Sequence, residues 1–285
     1  MKKENIQGII FIIFAGFFFS LMTFFVKLAG DLPTMQKAFF RNAVAVIVSA
    51  VILFRSDEGF RVKKGSWPGL LARSTCGCLG LVANFYAIDR MNLADSNILN
   101  KLSPFFAIIM SVIVLKEKAN KVEWLSVIIA FVGAIFVVKP TAGVASVPGF
   151  IGLLGGLGAG MAYTFVRYLG KKGERGPVIV MCFSVFTSLF TLPFMIAVYK
   201  PMSLRQLAIM LMAGVAATGG QLCITKAYTK AAAKEISVFD YSQIVFAAML
   251  GLFFFGEVPD IYSLIGYVII IGVAVFKWRY SLKQA

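Results

Sequence analysis

Histidine is absent from this chain. That removes the commonest general base and the commonest neutral metal ligand, so His-based catalysis and most zinc sites are excluded. Acidic residues are scarce too, 13 against 28 Lys and Arg, and charged residues of both signs make up only 14%. Four cysteines, Cys76, Cys78, Cys182 and Cys223, all lie inside apolar runs. Cys76 and Cys78 are two positions apart, about 200° around a helix, so one helix cannot offer both to a metal. They read as small buried hydrophobes. No Pro-, Gly- or Ser-rich linker separates soluble domains. Paired carboxylates and a nucleophile with its base are also missing, which argues against a membrane-embedded enzyme.

Hydrophobic residues, by contrast, reach 59%, with a mean hydropathy of +0.85. Soluble domains are about 45–50% apolar, so this excess calls for a second solvent. The stretch IQGIIFIIFAGFFFSLMTFFV (6–26) alone crosses about 30 Å of hydrocarbon at about 1.5 Å per residue. It is too long for a signal-peptide core and no A-x-A site follows, so it reads as a retained first span. Ten spans are predicted at 7–28, 36–54, 67–88, 94–115, 123–138, 149–169, 177–199, 204–228, 235–256 and 261–278. Short turns such as GDLP (30–33) and RGP (175–177) join them.

A net charge of +15 raises nucleic acid as a partner. The basic residues, however, sit in short loops between apolar runs, with no patch of interleaved aromatics. With the N-terminus placed in the cytoplasm, seventeen Lys and Arg fall on that side and five on the other. The positive-inside rule then puts both termini in the cytoplasm of a plasma-membrane protein. Trp67, Trp124 and Trp278 fall at the same span ends, where indole rings settle.

The chain also matches itself at an offset of 140 residues. Gly16 meets Gly156, Lys27 meets Arg167, Gly80 meets Gly220, Phe106 meets Phe246, Asn100 meets Asp240 and Glu117 meets Glu257. Residues 1–139 and 140–285 are therefore expected to be two repeats of five spans. An odd number of spans makes the second repeat enter from the opposite side. The expected fold is an all-α integral membrane protein of ten transmembrane helices in two inverted five-helix repeats, with a site near the midplane where the repeats meet.

Two stretches carry a more specific likeness. ANFYAIDRMNLADSNILNKLSPFFAIIMSVIVLKEK (83–118) and CITKAYTKAAAKEISVFDYSQIVFAAMLGLFFFGEV (223–258) each read as an Ala-containing helix end, a turn, and a further helix. Pro104 sits mid-span in the first; Gly256-Glu257 closes the second. The chain resembles the drug/metabolite transporter superfamily in its ten-helix, EamA-type branch. Against that family's pattern, Lys116 stands where glycine is usual, and Ile244 where proline is usual. That resemblance covers nearly the whole chain and implies a carrier, leaning toward efflux, with no cofactor.

Polar residues inside the spans are the candidate substrate-binding set. A charge at mid-span costs about 2.5–3.5 kcal/mol, so it seldom faces lipid. Helical spacing puts Asn97, Asn100, Lys101 and Pro104 on one face of the fourth span, and Ser237, Asp240, Tyr241 and Ile244 on one face of the ninth. These faces are expected to meet across an aqueous cavity; the alternative for Lys101 is snorkelling to the headgroups. Arg73 and Asp240, at similar depths, are expected to pair, either as a static tie or as a pair that opens for substrate. Arg41 and Lys101 have no evident acidic partner, and an anionic solute group would complete them. Tyr163 and Asn84 complete the set, Asn84 standing equally for a ligand contact or an interhelical bond. Gly152, Gly156 and Gly160 read as close packing. Glu117 and Glu257, at helix ends, are expected to serve the helix that follows each of them.

The reading that follows is a secondary transporter of a small amphipathic metabolite such as an amino acid, working by alternating access. A lipid-linked substrate flippase or a scaffold on the same fold is the alternative. Its partners are a small-molecule solute and membrane lipid, with homodimerisation left open.

Overall fold

The computed structural model describes residues 3–114, 116, 120–138, 146–230 and 237–283. Among them are nine helices long and apolar enough to cross a membrane, with a tenth, shorter apolar segment at Phe239–Phe255. The helices are α1 (Lys3–Leu28), α2 (Thr34–Phe54), α3 (Trp67–Ile88), α4 (Leu93–Asn100), α5 (Ser103–Val114) and α6 (Lys121–Val138) in the first half. The second half has α7 (Ser146–Lys171), α8 (Gly176–Ala197), α9 (Leu204–Lys230), a 3-10 helix (Ser237–Tyr241), α10 (Ser242–Phe255) and α11 (Ile261–Lys283). The protein is all-helical across its described residues, and its helix order is that of a multi-pass membrane protein. Glu117, matched to Glu257 in the self-comparison, lies outside the described residues.

Two spans are broken, and both breaks have local causes. The fourth span ends as α4 at Asn100 and restarts as α5 at Ser103. Pro104 has no N–H to donate and takes the first turn of the new helix, where none is needed. The ninth span opens as a 3-10 helix, tighter in turn and longer in rise than an α-helix. Irregular backbone at membrane depth is tolerated where protein or a wet cavity meets its polar groups. Here the Tyr241 hydroxyl donates to the carbonyl of Lys101 at 3.1 Å.

The halves interlock span by span. α1 packs on α9, α3 on α7, α2 on α8, α4 on α10, and α6 on α11. Exchange each first-half span for its second-half mate and the set maps onto itself: α1 on α9 becomes α7 on α3, and the others are their own images. Such an exchange pattern is consistent with a pseudo-two-fold relation between the halves. Glycine allows the closest approaches. A Cβ on Gly158 would lie 2.6 Å from Gly80 Cα, and one on Gly156 would lie 2.5 Å from the Leu99 carbonyl oxygen. The second contact seats α7 against the break in span four, which gives the Gly152–Gly156–Gly160 stripe its packing role.

Apolar residues gather in two main clusters. One joins α1, α2 and α9 around Phe19, Met22 and Met210. The other joins α4, α5, α6, α10 and α11 around Leu99, Phe105 and Ile270. Phe14, Phe54, Phe253 and Phe254 instead point outward from the bundle, where lipid is the natural solvent.

The loops at 29–33, 89–92, 198–203 and 256–260 share one end of the bundle, called here the far end. Polar ties close it. Lys27 pairs with Glu257 and donates to the Met91 carbonyl at 2.6 Å. Glu257 also accepts the Leu93 N–H at 2.7 Å. The expectation that Glu257 serves its own following helix is corrected. Gly256, with φ of 65°, turns the chain so that the carboxylate reaches the N-terminus of α4 in the other half. Asp260 caps α11 instead, accepting the Ser263 N–H at 2.8 Å. Lys37 and Asp89 make a second ion pair at 2.5 Å. Gln36 bonds the Lys200 backbone at both its N–H and its carbonyl.

Candidate functional site

Between the two halves lies a cavity of about 100 Å³. α1, α2, α3, α4, α7, α8, α9 and α10 all contribute to its wall. Its polar lining comprises Thr23, Arg41, Arg73, Asn84, Asn100, Lys101, Tyr163, Gln221 and Gln243. This places Lys101 on the cavity, against the snorkelling alternative.

Arg41 and Arg73 decide the character of the cavity. Both are buried, at 4% and 6% exposure. Neither meets a carboxylate among the described residues. Arg73 lies 4.2 Å from the centre of the Phe183 ring and Arg41 lies 6.0 Å from it. Arg41 Nη1 donates to Asn42 Oδ1 at 2.7 Å. Arg41 Nε, Arg73 Nε and Arg73 Nη1 are buried with no hydrogen-bond partner, as is Asn84 Oδ1. Holding two guanidiniums at this depth costs about 5–7 kcal/mol on insertion scales. Stacking on one phenyl ring returns about 0.5–2 kcal/mol per contact, which leaves a deficit for a bound anion to offset.

Gly77 makes room for this arrangement. A side chain there would fall within contact distance of Arg73 Nη1 and lie 3.0 Å from Phe183 Cε2. Arg73 therefore lies back along α3 in a slot that exists because residue 77 has no Cβ.

Lys101 donates to Asp240 Oδ2 at 2.6 Å, which joins the break in span four to the start of span nine. The other oxygen, Asp240 Oδ1, is buried without a partner. The expected pairing of Arg73 with Asp240 is thus corrected: Asp240 belongs to Lys101. The depth estimate counted regular α-helical steps from each span end. The α4–α5 break and the roughly 2 Å rise of the 3-10 helix bring Lys101 and Asp240 level instead.

Beside this pair runs a buried polar seam between the halves. Gln243 Nε2 donates to Asn97 Oδ1 at 2.5 Å. Asn97 Nδ2 donates to the Leu93 carbonyl at 2.7 Å and to Thr23 Oγ1 at 3.3 Å. Ser20 Oγ donates to the Gln243 carbonyl at 2.8 Å.

Of the ten predicted residues, Arg41, Arg73, Asn84, Asn100, Lys101 and Tyr163 line the cavity. Asp240 borders it through Lys101, and Tyr163 lies within electrostatic reach of Asp240, Arg73 and Arg41. Asn97 and Tyr241 have their polar groups engaged in the seam and the break. Ser237 opens the 3-10 helix; its side chain lies outside the described residues. Sequence reasoning missed Gln243, Phe183 and Gly77. The 3-10 turn advances each residue by about 120° rather than 100°. Over five residues this rotates the inward face by about one position, from Ile244 to Gln243. A count of three residues per turn from Asp240 to Gln243 would have found it. Phe183 and Gly77 carry no signal apart from the charges they accommodate.

A helical bundle with a polar, cation-rich cavity between two interlocked halves is the architecture of a membrane transporter. Comparisons with known proteins agree. Residues 6–139 and 150–277 each match the EamA-like transporter family. The chain belongs to that family. It is 33% identical over 272 residues to the pseudopaline exporter CntI of Pseudomonas aeruginosa, covering 94% of this chain and 95% of that one. It is 26% identical over 297 residues to human solute carrier family 35 member G1, covering 97% of this chain and 81% of the relative. A solved crystal structure superposes with a TM-score of 0.64 at 15% identity over 96% of this chain, a likeness of fold. The family and these relatives are transporters and not enzymes.

Proposed function

We propose that the protein is an exporter of a small amphipathic metabolite that bears a carboxylate and an amine, such as an amino acid. Residues 1–139 and 140–285 act as inverted repeats that rock about the cavity, opening it to each side of the membrane in turn. The far end faces outward, and both termini lie in the cytoplasm at the plasma membrane. The observation that carries this reading is the pair of buried guanidiniums on the cavity wall, Arg41 and Arg73, with no carboxylate beside either among the described residues. An anionic solute group supplies the kind of acceptor they lack. Asp240, already linked to Lys101, offers its free oxygen to an amine. The named export activity of one relative supports the outward direction of transport, and the excess of basic residues on the terminal side supports the placing of both termini in the cytoplasm.

The test is flux. Purified protein in liposomes is loaded with a labelled panel of amino acids and related amines and acids, and efflux is compared with empty liposomes. The reading expects at least one carboxylate-bearing solute to leave faster than the leak. Arg73→Gln should slow that flux while the protein keeps its fold. Equal rates with and without protein for every solute would overturn it.

A further inference from the structure

We infer that the solute carries two negative charges on one short, partly apolar skeleton, with Arg41 binding one carboxylate and Arg73 the other. This rests on the carrier reading above and narrows it to a substrate class.

The argument begins with charge balance at the cavity. Lys101 is already neutralised by Asp240. The carboxylates of Glu257, Asp89 and Asp95 are not part of the cavity wall and are engaged with Lys27, Lys37 and the Tyr267 hydroxyl. Arg41 and Arg73 remain, each with buried nitrogens lacking an acceptor. A solute with one carboxylate completes one of them and leaves the other desolvated. A solute with two carboxylates completes both guanidiniums, and one without an amine also leaves the loaded cavity electrically neutral.

Geometry sets the length. Both guanidinium carbons lie near one ring, 4.2 and 6.0 Å from the Phe183 centroid, so they are at most about 10 Å apart. Each guanidinium takes a carboxylate in a fork about 2.7–2.9 Å away, which leaves room between the two carboxylates for a short carbon chain. Phe183, Phe19, Met22 and Leu81, which all line the cavity, offer contacts to the apolar part of that chain. The cavity volume of about 100 Å³ restricts the solute to a compact one. A second cationic site far from the first would fit a long or branched ligand; two guanidiniums on one ring fit a short diacid.

The experiment compares matched pairs of solutes that differ by one charge: aspartate with asparagine, glutamate with glutamine, and succinate with its monoamide. Two readouts are used, the thermal stability of purified protein with each solute and labelled efflux from proteoliposomes. The diacid of at least one pair is expected to stabilise the protein and to leave at a rate at least about tenfold above its amide, the factor that one charged hydrogen-bonded contact supplies. Arg41→Gln and Arg73→Gln should each shrink that ratio toward one, and Arg→Lys at either site should retain part of it. Should either variant fail to fold, the stability shift with wild-type protein still gives the ratio. Amides that bind and leave as fast as their diacids would overturn the inference and keep the carrier reading. If no diacid binds or moves, the inference also falls. Flux of the neutral amino acids then decides separately whether the carrier reading stands.

Discussion

Replacing Gly77 by alanine adds one methyl group under the Arg73 guanidinium. Two effects compete. Alanine in a helix interior is favoured over glycine by about 1 kcal/mol. Against this, the new Cβ meets Arg73 Nη1 and lies 3.0 and 3.2 Å from two carbons of the Phe183 ring. The guanidinium is the far end of a flexible side chain, so it moves rather than the backbone. The fold should therefore hold, with thermal stability equal to wild type or higher. Solute binding should fall about 10- to 100-fold, since a displaced guanidinium forfeits a charge-assisted contact of about 1.5–3 kcal/mol. The assay is a double-mutant cycle of Gly77→Ala with Arg73→Gln, reading solute affinity and melting temperature together. If Gly77 acts through Arg73, the double variant binds no worse than Arg73→Gln alone. Additive losses, or a Gly77→Ala protein that binds solute normally, would refute the reasoning.

Lys101→Met alone should destabilise the protein by about 3–5 kcal/mol, because it strands a buried Asp240. The double variant Lys101→Met/Asp240→Leu should recover most of that in a melting assay while transport stays lost. Glu257→Gln keeps an oxygen for the Leu93 N–H but leaves Lys27 without its anion. Roughly 2 kcal/mol should be lost, read as a melting temperature lower by about 4–8 °C. On the 172–175 turn, burial works to raise the pKa of Glu174. The N–H groups of Lys63 and Arg175, at 2.9 and 3.0 Å, outweigh it and hold the carboxyl below its usual value. A lowered folded-state pKa gives stability that is present above the ordinary glutamate value of about 4.3 and is lost as pH falls through the lowered one. Hydrogen exchange of the 61–66 amides, corrected for intrinsic rates, should accelerate over that acidic window in wild type. In Glu174→Gln it should show no such step.

The sequence carried the membrane class, the span pattern and the offset of 140 residues, because apolar length and loop charge are local signals. It also carried most of the cavity wall, because a charge inside a span has few physically allowed places; span four, despite Pro104, read as one helix over 94–115, and its break after Asn100 did not show. Partner choice was another matter. Arg73 and Asp240 sit at matching depth in ideal helices, yet the α4–α5 break and the 3-10 turn level Asp240 with Lys101. Glu257 read as a cap for its own following helix; the left-handed turn at Gly256 sends it across the halves to α4. Gln243 was hidden by the same 3-10 turn. Each miss arises where backbone departs from α-geometry, and periodicity assumes that geometry throughout.

Reactivity of a cysteine placed at Asn84, in a background freed of Cys76, Cys78, Cys182 and Cys223, tests the central claim most directly. A wet cavity bearing two unpaired guanidiniums concentrates anions by about tenfold or more. An anionic methanethiosulfonate should therefore label the residue at least about tenfold faster than a cationic one, each rate normalised to a free thiol. Adding Arg41→Gln and Arg73→Gln should abolish the difference. No labelling by either reagent, or equal normalised rates, would contradict the account.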